Sequence, residues 1–189
     1  MTPLGGSLSP VTHSFLDESR RGNRYFVTAV IIAPASLHEV TKSVRSTVRP
    51  GQRRTHFSDE RPSERRRLLD GYCRLAVRAQ VAVAEYRGGD DQLARERCLR
   101  GLAIAATSRG VARMILDSRG LDRDKLDRRL FARLQREGTL GAALSYEHLA
   151  SWDELLLCLP DAIGWAYGMG GLWREQVAPL VELVATPES

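Results

Sequence analysis

The stretch of residues 24–33, Arg-Tyr-Phe-Val-Thr-Ala-Val-Ile-Ile-Ala, constrains the fold more than any other in the chain. Its β-branched and aromatic residues fall at odd and even positions alike. A strand of that kind hides both faces, so it belongs inside a sheet that is covered on each side. Residues 12–17 read as a shorter strand before it. The link Glu18-Ser-Arg-Arg-Gly-Asn is short and ends in a turn signal, Gly22-Asn23, so the two strands form an antiparallel hairpin.

Pro34 closes the second strand, and residues 36–48 fit a helix with Leu37, Val40 and Val44 on one face. Residues 49–62 are a polar loop. Ser63 then caps a helix whose stripe is Leu68, Leu69, Tyr72, Cys73 and Ala76. Residues 79–86 alternate as a third strand. Residues 91–108 are helical, with Leu99, Leu102, Ala103 and Ala106 inward and Gly110 as terminator. Residues 112–117 make a fourth strand, and residues 122–137 a basic amphipathic helix on Leu126, Leu130 and Leu134. A short fifth strand covers residues 144–149. Ser151-Trp-Asp-Glu154 matches a capping box that opens a helix, which Pro160 kinks or restarts and which runs on to Tyr167. Gly168-Met-Gly-Gly breaks it, and residues 173–185 form a last helix.

This order is β-β-α-α-β-α-β-α-β-α-α. It predicts an α/β protein with a mixed five-stranded sheet flanked by helices, the skeleton of the ribonuclease H-like fold, with an extra helical segment between the second and third strands. A chain of 189 residues suits one such domain, 1–189, with residues 1–10 as a disordered lead-in. That lead-in has neither the basic nor the apolar region of a secretory signal. No apolar run approaches the ~20 residues of a membrane span. Cys73, Cys98 and Cys158 lie inside helical patterns without a CxxC pair. They read as buried thiols of a reducing compartment, and the expected location is cytoplasmic.

The formal net charge is +5, almost all of the positive side being arginine, since Lys42 and Lys125 are the only lysines. Guanidinium forks match phosphate geometry, which favours a nucleic-acid partner. A coding bias that replaces surface lysine by arginine explains the same excess.

The residues that carry chemistry are acidic and far apart in sequence. Asp17 and Glu18 end the first strand, Asp117 ends the fourth, and Asp161 follows Pro160 at the head of an apolar helix. If the first and fourth strands are parallel neighbours, they lie ~4.8 Å apart and their carboxylates leave the same edge of the sheet. Clustered carboxylates repel each other and are costly to bury without a cation. Mg²⁺ or Mn²⁺ offsets that cost and suits an all-oxygen donor set, with Asp17, Asp117 and Asp161 as ligands. Such ions activate water and stabilise the leaving oxygen of a phosphodiester. Taken singly, each acid reads more simply as a loop cap or a helix N-terminal aspartate. His56, in an arginine-rich loop, is a candidate to orient water or shuttle a proton. His148 ends a predicted strand and reads equally well as structural. Arg53, Arg54 and Arg119 are candidate phosphate-backbone contacts. Nucleotide-binding glycine loops, GxSxG, HExxH and paired CxxC are all absent, so triphosphatase, dinucleotide, serine-hydrolase and zinc-protease chemistries have no support.

Phe15-Leu-Asp-Glu-Ser19 with Tyr25-Phe-Val-Thr-Ala-Val-Ile-Ile32, Thr55-His-Phe-Ser58, Tyr146-Glu-His-Leu-Ala-Ser151 and Leu157-Cys-Leu-Pro-Asp-Ala162 follow one another in the order seen in the DUF3800 proteins. The chain resembles that family over residues 15 to 167, with Arg20 where a glycine commonly follows Asp-Glu-Ser. The resemblance implies a ribonuclease H-like fold and a metal-dependent nuclease role, and it marks Asp17, Glu18, His56 and Asp161. Two other functions remain open on the residues alone. One is a nucleic-acid-binding module without catalysis. The other is a scaffold that forms a homo-oligomer through the segment from Trp165 to Leu183.

Overall fold

The computed structural model describes residues 11–86, 91–141 and 143–187, so the expected lead-in at residues 1–10 lies outside the described residues. Six strands form one sheet in the order β5-β4-β1-β2-β3-β6. The strands are β1 (Thr12–Arg21), β2 (Arg24–Ile32), β3 (Arg78–Glu85), β4 (Val111–Asp117), β5 (Ser145–Leu149) and β6 (Val181–Val184). The helices are α1 (Pro34–Arg45), α2 (Pro62–Tyr72), α3 (Asp91–Ser108), α4 (Leu121–Arg136), α5 (Cys158–Met169) and α6 (Gly171–Val177). β1 pairs antiparallel with β2, and β2 with β3. β4 runs parallel to β1, β5 to β4, and β6 to β3. Both faces are covered, as the two-sided apolar strand β2 requires. α1, α2 and α5 cover one face, over Phe15, Val30, Ile32 and Ile115. α3 and α4 cover the other, over Leu16, Val27, Met114 and Leu116.

The hairpin turns at Gly22, whose φ of 56° lies in the left-handed region that a side chain disfavours. β1 does not end at residue 17. Its pairing with β4 stops at Leu16↔Leu116, whereas its pairing with β2 continues to Arg21↔Arg24. The break therefore lies on one side only, and Asp17 and Asp117 emerge together where it opens.

α5 crosses β1 and β2 closely. A Cβ added at Gly164 would sit 2.6 Å from the Thr28 hydroxyl oxygen, so only glycine lets the helix approach at that point. That approach sets the first turn of α5, with Asp161, beside the strand edge.

Several elements differ from the sequence reading. Residues 173–185 are not one helix: α6 stops at Val177, a 3-10 turn covers Ala178–Leu180, and β6 adds a sixth strand. Pro179 has no N–H to continue the ladder, and Val181-Glu-Leu-Val has strand composition. Ser151 does not cap a helix. Residues 151–153 are a turn, Glu154 caps the 3-10 turn Leu155–Leu157 by accepting from Leu156 N at 3.0 Å, and α5 starts only at Cys158. Pro160 does not kink α5, because it lies in the first turn, where backbone N–H groups have no helical partner to lose. Ser63 is likewise not the cap of α2. Pro62 holds the first helical position, preset by its ring, and no side chain caps the turn. In α4 the inward residues are Asp124, Asp127, Leu130, Phe131 and Leu134, while Leu126 is exposed. Of the cysteines, all free, Cys98 and Cys158 are buried and Cys73 is half-buried. Among the described residues no helix is long and apolar enough to cross a membrane.

Candidate functional site

The strands β1 and β4 deliver Asp17 and Asp117 side by side, on the face covered by α5. The first turn of α5 delivers Asp161, and the loop before α2 delivers His56. All four line one cavity of about 300 Å³, together with Arg54 and Trp152. Asp161 is a structural hub as well. Its Oδ2 accepts from Phe57 N at 3.0 Å and meets His56 Nδ1 at 3.0 Å. A carboxylate offers only acceptors, so the proton of the second bond sits on the imidazole. Phe57 packs edge-on against Trp165, one helical turn beyond Asp161, with ring centroids 5.4 Å apart. Arg65 fastens the same loop by donating to the Phe57 and Ser58 carbonyls at 3.1 and 2.9 Å.

The acids feel one another. Asp17 is pushed well above the usual carboxylate range, first by desolvation and then by the charges of Asp161 and Asp117, with Arg95 and His56 opposing. Asp117 is raised too, chiefly by burial, which the Arg54 charge partly offsets, and further by Asp161. His56 is raised by its bond to Asp161, against some desolvation. The donor set is hard and anionic, which fits Mg²⁺ or Mn²⁺ in chemistry. Among the described residues, however, no three acidic, histidine or cysteine side chains are drawn together into a coordination sphere as they stand.

Glu18 lines the same cavity, but its carboxylate turns away from the acidic cluster. Adjacent residues on a strand face opposite sides, and the Glu18 carboxylate lies on the α3–α4 face. There Arg95 and Arg119 take it, the latter at 2.7 Å. Arg95, with a side chain only 3% exposed, also binds Asp127 by Nη2 at 2.8 Å. His148 Nε2 meets the same Asp127 oxygen at 3.0 Å. Burial alone would raise Asp127, but the bonds from His148 and Arg95 prevail and hold it below the usual range. Arg119 further meets Asp91 at 3.1 Å, so its guanidinium is held inside an ion-pair network. Arg53 is exposed on the loop. Arg54 is at the cavity wall, donating to the Ser151 hydroxyl.

The sequence reading passed over Ser151 and Trp152. Ser151 hydrogen-bonds Asp117 through side chain and backbone, which ties the turn after β5 to the acidic cluster. The capping-box pattern masked that role. Arg95 was also passed over, although its spacing to Cys98, Leu99 and Leu102 puts it on the inner face of α3.

No family model matches the chain, and no curated protein matches it in sequence. Among solved structures it is similar to a chain of the PCNA:RNase HII complex from Archaeoglobus fulgidus. The TM-score is 0.51 at 16% identity, over 81% of this chain and 69% of that one. At that identity the likeness concerns the fold. Together with the strand order it identifies this protein as an α/β protein with a ribonuclease H-like sheet, extended to six strands by β6.

Proposed function

We propose that the protein is a Mg²⁺- or Mn²⁺-dependent enzyme that cleaves phosphodiester bonds of nucleic acid, a member of the DUF3800 group that its motifs resemble. One observation carries the reading: three carboxylates from three separate elements line one cavity, and the charges of Asp161 and Asp117 raise the affinity of Asp17 for positive charge. Proteins seldom keep such repulsion without use for it. Asp17, Asp117 and Asp161 would hold the metal, which when bound supplies charge neutralisation and a more acidic water. Asp161 orients His56 through Nδ1 and favours its protonated form, so the ring is set to hand a proton to a leaving oxygen. Arg54 brings positive charge to the cavity wall for a phosphate oxygen, with Arg53 on the same loop. Glu18 acts from behind, clamped by Arg95 and Arg119, and fixes the strand from which Asp17 projects.

Calorimetric titration with Mg²⁺ and Mn²⁺, paired with cleavage of labelled DNA and RNA, tests the proposal. The wild type is expected to bind metal and cleave. Asp17→Asn with Asp161→Asn is expected to lose both while keeping the circular dichroism of the fold. Salt-sensitive nucleic-acid binding that survives chelator, without cleavage, would instead make the protein a non-catalytic binding module.

A further inference from the structure

The chain has three tryptophans, and two of them serve the core. Trp165 is buried against Phe57, and Trp173 packs on Trp165 with ring centroids 5.3 Å apart. Trp152 does neither: it is 58% exposed and lines the acidic cavity. Its backbone is held in a closed turn. Asp153 N and Glu154 N both donate to the Ala150 carbonyl, at 2.8 and 3.1 Å, closing a tight turn around it. The residue before it, Ser151, is bonded to Asp117 and to Arg54. The Arg54 guanidinium lies over the indole at 6.0 Å from the centroid. A flat π-surface, more than half exposed and with the Arg54 cation over one face, thus stands one residue away from a group that holds a candidate catalytic carboxylate.

We propose that Trp152 is a stacking platform for an unpaired nucleobase next to the cleaved phosphate, and that the site therefore takes single-stranded nucleic acid or unpaired ends. This rests on reading the cavity as a phosphodiester site. A base inside a duplex already has neighbours on both faces and offers no ring to the indole. An unpaired base offers one, and stacking on an aromatic side chain accepts any base. Arg54 serves the same ligand twice, by charge toward the phosphate and by its cation over the indole.

The test uses the full chain with Ca²⁺ or with chelator, so that nothing is cut. Probes are a short oligodeoxynucleotide, an oligoribonucleotide and a blunt duplex, read by tryptophan fluorescence and by anisotropy of an end label. Single strands are expected to quench the wild type. Trp152→Ala should weaken single-strand binding roughly five- to hundredfold, Trp152→Phe should restore most of it, and duplex binding should not change. The ratio between the two oligonucleotides tells DNA from RNA. Equal single-strand affinity in wild type and Trp152→Ala overturns the proposal. So does equal loss for strand and duplex, and so does no binding of either by the wild type at low salt. Mg²⁺ calorimetry on the same proteins separates this from the catalytic reading. Metal binding with no Trp152 effect removes the platform alone, whereas a Trp152 effect without metal binding keeps the platform and removes the metal enzyme.

Discussion

Asp17 is where stability and the proposed activity oppose each other. Its affinity for a proton is raised in the folded chain by burial and by the charges of Asp161 and Asp117. A carboxyl raised on folding binds more protons folded than unfolded, so stability falls as pH rises from the ordinary carboxylate range through the folded value. At neutral pH without metal the charged side chain is therefore a cost. Asp17→Asn is expected to raise metal-free stability by about 0.5–2 kcal/mol, the range common for relieving such a site. Mg²⁺ at a hundred times its dissociation constant should add about 2.7 kcal/mol to the wild type and nothing to the variant. Thermal melting at pH 7 with and without Mg²⁺ reads both, and an Asn variant that melts below the metal-free wild type would contradict the expectation. Asp17, Asp117, Asp161 and His56 were legible as candidates because each stands beside a change of pattern in the chain. The separation of Glu18 from Asp17 was legible in principle, since two neighbours on a strand cannot share a face. Reading residue 17 as the strand's last position hid it.

At the scale of elements, the site depends on how closely α5 lies on the sheet. Gly164 faces the buried Thr28, and an added methyl carbon would stand 2.6 Å from its hydroxyl oxygen. Two effects compete in Gly164→Ala. Alanine improves helix propensity by about 1 kcal/mol, while overpacking a filled contact costs about 1–3 kcal/mol. Thr28 is β-branched and enclosed, so it has little room to turn, and the cost is expected to win. Urea denaturation should show a net loss of about 1 kcal/mol or more, with weaker Mg²⁺ binding because Asp161 moves with the helix. Thr28→Ala in the same chain should recover part of both. The strands and most helices were legible from periodicity and turn residues, because local pattern and burial agree there. The stretch from Ser151 to Leu157 was not, because its hydrogen-bonding serine is committed to Asp117 and Arg54 in the folded protein, a partnership outside the local window. β6 was missed for a similar reason. Its four residues form a strand only because β3 presents an edge to them.

Across the whole molecule, the edge where β1 and β4 part carries two charge systems of opposite design. On the α5 face carboxylates repel. On the α3–α4 face Glu18 of β1, Arg95 of α3, Asp127 of α4 and His148 of β5 join four elements through compensated charge. The two respond to acid in opposite senses. Asp17 and Asp117 bind protons at higher pH folded than unfolded, and His56, also raised, holds its charge against Asp161 to higher pH. Each of these gains stability on acidification. Asp127 is held low, because its bonds from His148 and Arg95 outweigh its burial, and Asp91 is held low because Arg123, Arg119 and Arg20 likewise outweigh its burial. Their contribution is present above the unfolded carboxylate value of about 3.9 and is lost as pH falls through the lowered folded values. Metal-free stability measured by urea titration is therefore expected to rise from pH 7 toward about 5 and to fall below about 4. Saturating Mg²⁺ should flatten the rise by neutralising the α5 face, and leave the acid fall in place. Arg95→Met should act on the other arm. Removing one member of a buried pair leaves Asp127 with its His148 bond alone, at a cost toward the lower end of about 3–5 kcal/mol at neutral pH. The variant should then show a shallower acid fall, since Asp127 keeps only its His148 bond while Asp91 keeps its own arginines. Because the Arg95 charge also opposes the upward shift of Asp17, the neutral-to-pH-5 rise should steepen modestly in the same variant, and a rise left unchanged would mean that charge does not act across the sheet.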